Sequence, residues 1–279
     1  MTAALLLQVL SGGFFAASTG SFRQIALRLP ALQVNFIVLA IACVLLALYG
    51  TKQRQETYAL VAQHGRRLLI AGFVNFAAVL TWFISITGAA LAPATAGFYV
   101  KIVSTVVLSA LVLKDPVWPY RISGAIVVLL GVITTLSLVS INMSYHIYAA
   151  ILSGLLASCT VVTIKPLYER FPPQVVLLAL LLAALPWGAL SIIPVWTAIE
   201  PEQFAPLFTT SVLMLCAQVF AMAAYALARA SLVATFEAVR LPVAALYGAL
   251  LLGEPVATPF IIGTLLIVLG LSIACKQGA

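Results

Sequence analysis

Apolar runs of about twenty residues follow one another along almost the whole chain, and short segments between them hold most of the charged residues. A helix of this length crosses the hydrocarbon core of a bilayer, whereas a membrane-spanning β-strand needs only about ten residues. Of the 279 residues, 64% are hydrophobic and 8% are charged, which leaves too little polar surface for a water-soluble fold. We therefore predict an all-α membrane protein.

Ten of these runs are predicted as membrane spans. They cover residues 3–22, 32–50, 68–87, 91–113, 119–139, 145–165, 174–194, 205–228, 232–252 and 256–275. The longest segments between spans, 51–67 and 195–204, are too polar to cross a membrane and too short to be domains, and His64 is expected in the first as part of a loop. The first run lacks the basic segment that precedes a signal-peptide core, so it is predicted to be a span.

Lysine and arginine are distributed very unevenly between the two predicted sides of the membrane. With a cytoplasmic N-terminus, the outer side holds only Arg23 and Arg28. The inner side then holds ten basic residues, which are Lys52, Arg54, Arg66, Arg67, Lys114, Arg121, Lys165, Arg170, Arg229 and Lys276. This asymmetry predicts that both termini are cytoplasmic, and the bacterial inner membrane is the expected location. It also accounts for the formal charge of +7 without a nucleic-acid partner.

An internal repeat divides the sequence. Residues 111–137 (LVLKDPVWPYRISGAIVVLLGVITTLS) align without gaps on 250–276 (LLLGEPVATPFIIGTLLIVLGLSIACK) at an offset of 139, and the same offset places Lys101 on Arg240. A second alignment, at an offset of 142, places Arg23 on Lys165. The repeat predicts two five-helix halves, 1–140 and 141–279, which enter the membrane from opposite faces because five is odd.

The two halves resemble EamA-type modules of the drug/metabolite transporter superfamily. The best match is RASLVATFEAVRLPVAALYGALLLGEPVATPFIIGTLLIVLGL, residues 229–271, and its first-half partner has Lys-Asp where this segment has Gly-Glu. The resemblance implies a small-molecule transporter whose central cavity is lined by spans 1, 3, 4, 6, 8 and 9, with spans 5 and 10 more peripheral. It does not name a substrate, since the superfamily is similar across exporters of amino acids, amines, drugs, nucleotide-sugars and phosphorylated sugars.

Two cations inside predicted spans are the leading site residues. Lys101 lies near the middle of its span, where an ammonium facing lipid would cost roughly 2.5–3.5 kcal/mol on insertion scales, so we expect it to face a cavity. Arg240 is its repeat equivalent, and two cations near a pseudo-twofold axis suit a carboxylate or a phosphate. Alternatively, each cation is neutralised within the protein. Glu237, three residues before Arg240, is spaced for an ion pair with it and is otherwise a candidate proton carrier.

Further candidates lie on the spans that the resemblance places at the cavity. Aromatic and amide groups there suit a flat or zwitterionic solute, although each alone is more often a packing residue; they are Tyr99, Trp82, Asn75 and Tyr225. Arg23 and Lys165 stand at the ends of repeat-related spans. They are expected either to guard the cavity mouth or to extend their charges to the membrane surface.

The two histidines and the four well-separated cysteines form no catalytic or metal-binding motif. The sequence also contains no glycine-lysine loop of the kind that binds ATP. We expect no enzyme activity, no metal and no cofactor. The leading hypothesis is a secondary transporter that moves a small organic solute with an acidic group, such as an amino acid or a related metabolite, by alternating access. The alternatives are an exporter of hydrophobic or cationic compounds and a lipid-handling protein. Oligomeric state is left open.

Overall fold

The apolar runs fold into helices that pack lengthwise against one another. The computed structural model describes residues 2–26, 28–48, 51–89, 91–114, 119–136, 145–237, 250 and 258–274, and these contain helices and no strand. The helices are α1 Thr2–Arg23, α2 Ala31–Ala47, α3 Thr51–Gly88, α4 Leu91–Phe98, α5 Val100–Val112, α6 Pro119–Leu136, α7 Tyr145–Ile164, α8 Pro173–Ile192, α9 Pro201–Leu227, α10 Ala230–Phe236 and α11 Thr258–Ala274. A 3₁₀ turn, Lys165–Glu169, follows α7.

Six stretches of helix are long and apolar enough to cross a membrane: Thr2–Arg23, Arg54–Gly88, Ala94–Val112, Tyr145–Glu169, Pro173–Ile192 and Pro201–Leu227. Shorter apolar helices, Ala31–Ala47, Ile122–Thr134 and Ile261–Gly270, lie at the predicted spans 2, 5 and 10. The ninth predicted span begins with α10, and its residues 238–249 lie outside the described part of the chain. The helical membrane class is therefore confirmed, and the count of ten spans stays a prediction.

The prediction of a polar loop around His64 is wrong. Residues 51–63 are helical and continue into the apolar part of α3 through a kink at His64, whose φ of −128° departs from helical geometry. Nine of the thirteen residues in this segment are good helix formers: three Gln, two Ala, and one each of Lys, Arg, Glu and Leu. Leu60 is fully buried, so one face of the segment packs on the bundle while the other carries the polar residues.

The fourth predicted span is interrupted. Tyr99 separates α4 from α5 with backbone angles of −73° and −2°, and its amide and carbonyl make hydrogen bonds to residues three positions away rather than four. Such short 3₁₀ segments within a helix often accompany functional sites. Lys101 therefore lies in the first turn of α5 rather than in the middle of a continuous helix.

The long helices α1 and α9 pack in an antiparallel pair. The hydroxyl of Ser11 donates to the carbonyl of Ala217 at 2.7 Å, and further along α1 the hydroxyl of Ser21 donates to the carbonyl of Pro206, nearer the start of α9, at 3.1 Å. These bonds join the first half of the chain to the second.

The helices α3 and α7 form a second antiparallel pair. Ser153 donates to the carbonyl of Ala78 at 2.6 Å, and Nδ1 of His146 lies 2.9 Å from the carbonyl oxygen of Ile84. The repeat offset of 142 equates the two donors, Ser11 and Ser153. The offset of 139 equates the two residues whose carbonyls accept these bonds, Ala78 and Ala217. The repeat therefore relates the two hydrogen bonds.

The helices α6 and α11 pack against each other through glycines. A Cβ at Gly131 would lie 2.6 Å from the carbonyl oxygen of Gly263, and one at Gly270 would lie 2.7 Å from that of Gly124, so only glycine permits this approach. The repeat equates Gly124 with Gly263 and Gly131 with Gly270, so it also exchanges these two contacts. The apolar side chains on the outer faces of both helices are exposed, as lipid contact requires.

Helix boundaries follow the same two offsets. The second offset places the first residue of α2 on the first residue of α8, and the first offset places the last residue of α3 on the last residue of α9. Two helix boundaries therefore agree with the repeat found in the sequence.

Candidate functional site

A cavity of about 100 Å³ lies at the centre of the bundle, among α1, α3, α7 and α9, and α4 and α5 complete its wall. Its wall is mostly apolar, with a small group of polar side chains: Asn75, Lys101, Ser153, Thr160, Gln218, Tyr225 and Glu237. A mostly apolar cleft with a few convergent polar groups is typical of a small-molecule site. Among the described residues, His, Cys, Asp and Glu form no group that could bind a metal ion.

An ion pair is buried in the wall of this cavity. The ammonium of Lys101 lies 2.7 Å from Oε2 of Glu237 and 2.9 Å from Oε1, and the two side chains are 8% and 0% exposed. Removing one partner of a buried pair typically costs about 3–5 kcal/mol, because the other charge is left uncompensated. The pair therefore holds one positive and one negative charge at the cavity with no net charge between them.

Aromatic side chains complete the surroundings of the Lys101 ammonium. It lies 5.6 Å from the ring centroid of Phe98 and 5.7 Å from that of Tyr225, within the range of cation–π attraction. The Tyr225 hydroxyl donates to Oε1 of Glu237 at 3.0 Å, and the Tyr99 hydroxyl donates to the Glu237 carbonyl oxygen at 3.0 Å. These contacts fix Glu237, which immediately follows α10, against α5, α9 and the junction at Tyr99 between α4 and α5.

A close approach of α7 fixes the backbone near Lys101. A Cβ at Gly154 would lie 2.3 Å from the carbonyl oxygen of Phe98 and 3.1 Å from the amide nitrogen of Lys101. Any larger side chain at position 154 would push α7 away from the junction between α4 and α5. The absence of a side chain at Gly154 thus permits α7 to lie against the junction between α4 and α5.

Three aromatic rings form one side of the cavity. The ring centroids of Phe15 and Trp82 are 5.0 Å apart, and that of Phe98 lies 5.4 Å from Trp82 and 6.2 Å from Phe15. These rings come from α1, α3 and α4, so they join three helices of the first half. They present an apolar surface to any solute in the cavity.

Two amide side chains, Asn75 on α3 and Gln218 on α9, line both this cavity and a smaller apolar one of about 20 Å³ beside it. Among the described residues, no group donates a hydrogen bond to the buried Oε1 of Gln218. An unsatisfied buried polar atom is costly unless a ligand or water supplies the missing partner. Gln218 is therefore the cavity residue best placed to accept a hydrogen bond from a solute.

Most of the site residues named from the sequence lie together. Four of the six substrate-binding candidates line the central cavity, and these are Lys101, Trp82, Asn75 and Tyr225. Tyr99 is 1% exposed and supports Glu237 from behind the wall. Arg240 lies outside the described residues, so its predicted place at the site and its predicted pairing with Glu237 stay predictions.

The two residues proposed for the cavity mouth bind helix ends instead of lining the cavity. Arg23, at the end of α1, donates to the carbonyl of Ala89 at 2.7 Å, and Lys165 donates to the carbonyl of Ala228 at 2.8 Å and to that of Tyr225. The first repeat offset places Ala89 on Ala228 and the second places Arg23 on Lys165, so these contacts are also related by the repeat. Each ties neighbouring helix ends within one half.

The sequence-based reasoning missed Phe15, Phe98, Gln218 and Gly154. Gln218 carried a usable signal, because it is an amide inside the apolar run of residues 205–228. Phe98 stands three residues before Lys101, a spacing that places two residues on one helical face. Phe15 and Gly154 carried none, since aromatic and glycine residues inside apolar spans are common.

Comparisons with known proteins agree with this architecture. Residues 3–137 match the EamA-like transporter family. A search of curated protein sequences finds no match. One solved chain, described as the crystal structure of a protein, is similar with a TM-score of 0.73 and 16% sequence identity, and the alignment covers 99% of this chain and 97% of that chain. At that identity the likeness concerns the fold alone.

Proposed function

We propose that the protein is a secondary transporter that moves a small organic solute by alternating access, because residues 3–137 match the EamA-like transporter family, part of the drug/metabolite transporter superfamily. Proteins of this family are membrane transporters of small molecules. The central cavity between the two halves of the chain is the proposed binding site, and a gradient or solute exchange is the proposed source of energy.

Alternating access requires two halves that can move against each other around the site. We assign these to residues 1–140 and 141–279, in opposite orientations. Two sets of contacts between helices that the repeat equates support the assignment: the α1–α9 and α3–α7 hydrogen bonds, and the glycine contacts of α6 and α11. Contacts of this kind are expected when a pseudo-twofold axis in the membrane plane relates two inverted repeats.

The proposed substrate carries an acidic group, as an amino acid or a related metabolite does. The single observation that carries this proposal is the position of the buried Lys101 ammonium in the wall of the cavity. A buried charge within a predicted span is expensive to keep, so it is expected to serve the pathway. Arg240, the repeat equivalent of Lys101, is proposed as the second cation of the site.

A rival function within transport is export of hydrophobic or cationic compounds. It is favoured by the pairing of Lys101 with Glu237, which leaves no net positive charge on this pair, and by the aromatic wall of Phe15, Trp82 and Phe98. In that case Lys101 would be structural. A lipid-handling role has no specific observation in its favour.

Location and energy coupling complete the proposal. The bacterial inner membrane with both termini in the cytoplasm agrees with the distribution of basic residues along the sequence. Glu237 is the proposed coupling or ion-pair residue, because its carboxylate is buried at the cavity beside a cation that can compensate its charge.

Transport by purified protein in liposomes tests the acidic substrate. Radiolabelled anionic and zwitterionic metabolites are compared in the parent chain, in Lys101→Ala and in a control, Lys114→Ala, which removes an exposed lysine away from the cavity. We expect at least one such solute to be transported and its transport to fall at least tenfold in Lys101→Ala alone. Unchanged transport of every anionic and zwitterionic candidate in Lys101→Ala would contradict the proposal.

A further inference from the structure

A second pocket, of about 220 Å³, lies at the kink of α3 and shares no lining residue with the central cavity. Its charged wall residues are Arg67 on α3 and Glu169 and Arg170 at the end of the 3₁₀ turn that follows α7. Two guanidiniums and one carboxylate give it a net positive charge. His64, at the kink itself, adds an imidazole that can donate a hydrogen bond. The planar fork of an arginine matches the oxygens of a phosphate, so the pocket suits a phosphate group.

Arg67 stands where α3 changes from polar to lipid-facing. The predicted span begins at residue 68. Ile70, three residues after Arg67, and Phe73, three residues further on, are 56% and 50% exposed. Residues three apart are neighbours on a helix surface, so the guanidinium and an exposed apolar surface follow each other along α3. Ile70 also lines, together with His64 and Arg67, an open groove beside the pocket. A phospholipid has the same order, with a charged headgroup above apolar chains.

The repeat-related place near the start of α9 has a different charge pattern. The offset of 142 places Arg28 on Arg170, and the offset of 139 places Pro206 on Arg67. There a single arginine, Arg28, lies 3.4 Å from the carboxylate of Glu202. The repeat therefore does not require a second arginine at this place in the fold. The excess of basic residues on the predicted cytoplasmic side accounts for arginines at that side, but not for two of them in the wall of one pocket.

We propose that the pocket at the α3 kink binds the phosphate of an anionic phospholipid, with Arg67 and Arg170 as its partners and the acyl chains along Ile70 and Phe73. The lipid is a resident partner at the membrane surface rather than the transported solute. Basic pockets between membrane helices commonly hold anionic headgroups in this way. A choline headgroup fits less well, because its ammonium is repelled by the net positive charge of the pocket. A free phosphate compound has no chain to cover the exposed apolar face.

Native mass spectrometry of the purified full chain measures this binding directly. The protein is titrated with dioleoyl phosphatidylglycerol, with dioleoyl phosphatidylcholine and with glycerol phosphate, which carries the phosphate without acyl chains. An ionic strength of about 0.15 M limits the Debye length to about 8 Å, so distant charges contribute little. We expect phosphatidylglycerol to bind at least tenfold more tightly than either other probe, which is about 1.4 kcal/mol.

Two changes in the pocket should move the affinity in opposite directions. The double variant Arg67→Gln and Arg170→Gln removes both phosphate partners and should lower the affinity for phosphatidylglycerol at least tenfold. Glu169→Gln removes the carboxylate that competes for the arginines and should raise that affinity about twofold or more. Position 169 is exposed, so this variant tests the pocket even if the double variant does not fold.

The control removes the same amount of charge elsewhere. Lys114 and Arg229 are exposed basic residues on the same predicted side, and neither lines the pocket. The double variant Lys114→Gln and Arg229→Gln should keep the affinity of the parent chain. An equal loss of affinity in the control would replace a specific pocket by general charge attraction and overturn the proposal.

The remaining outcomes are equally decisive. Equal binding of phosphatidylcholine would overturn the selection of anionic lipid, and equal binding of glycerol phosphate would show a site for a free phosphate compound instead. Unchanged affinity in the double variant of Arg67 and Arg170, or unchanged or weaker affinity in Glu169→Gln, would show that phosphatidylglycerol binds elsewhere.

Discussion

Replacing Gly154 by alanine tests the contact that holds Lys101 at the cavity wall. The added Cβ would lie 2.3 Å from the carbonyl oxygen of Phe98, and ordinary contact begins at 3.4 Å, so α7 and the α4–α5 junction must separate by about 1 Å. Overpacking of this kind costs about 1–3 kcal/mol. Because the junction carries Lys101, we also expect binding of charged solutes to weaken about tenfold or more.

Gly13→Ala is the matched control, since a Cβ at Gly13 meets nothing within 4 Å. Both substitutions replace a glycine inside a helix and gain about 1 kcal/mol of helix propensity, so their difference isolates the clash. Thermal unfolding in detergent and solute affinity are measured for both variants. We expect Gly13→Ala to be as stable as the parent or more so, and Gly154→Ala to be less stable and weaker in binding. Equal stability and affinity in the two variants would refute the contact as described.

Three further predictions address the rest of the bundle. Gly131→Ala places a Cβ 2.6 Å from a carbonyl oxygen of α11, so it should lower stability by about 1–3 kcal/mol while leaving solute affinity unchanged, as unfolding temperatures with and without solute will show. Ser11→Ala and Ser153→Ala should each lower the free energy of unfolding by about 0.5–1 kcal/mol, and by equal amounts, because each removes one hydrogen bond between helices. Ser123→Ala, at an exposed position, should leave it unchanged, and clearly unequal losses for the first two variants would contradict the repeat. Gln218→Leu should weaken solute binding without loss of stability in the same assay, because no described residue donates to its Oε1.

Much of the fold could be predicted because a bilayer imposes a simple rule. An apolar run of about twenty residues has little choice except to be a helix, so the predicted spans coincide with helices wherever the structure describes them. The rule does not cover residues 51–63. They are helical because most of them have high helix propensity and because the face that includes Leu60 is buried. The rule also does not reveal the break at Tyr99, which lies where Gly154 of a different helix approaches the backbone closely.

The part of the site that could be predicted is the part that follows from the cost of burying a charge. The expense of an ammonium within a span pointed to a cavity at Lys101, and the structure places it there. The contact between Lys101 and Glu237 was not predictable, because the two residues are 136 positions apart and reasoning from spacing considers only neighbours on one helix. The same limitation hid Phe15, because nothing in its sequence surroundings distinguishes it from other aromatic residues inside apolar spans.

The internal repeat explains why this cavity can hold opposite charges side by side. The same offset that equates Lys101 with Arg240 also equates Phe98 with Glu237, and both members of that second pair contact the Lys101 ammonium, one through a ring face and one through a carboxylate. Under the proposed pseudo-twofold axis, residues that the offset equates can contact the same atom where that atom lies close to the axis. A strictly symmetric pair would have placed two rings or two carboxylates there, and two buried carboxylates would repel each other. One ring and one carboxylate instead give the Lys101 ammonium one uncharged partner and one partner that compensates its charge.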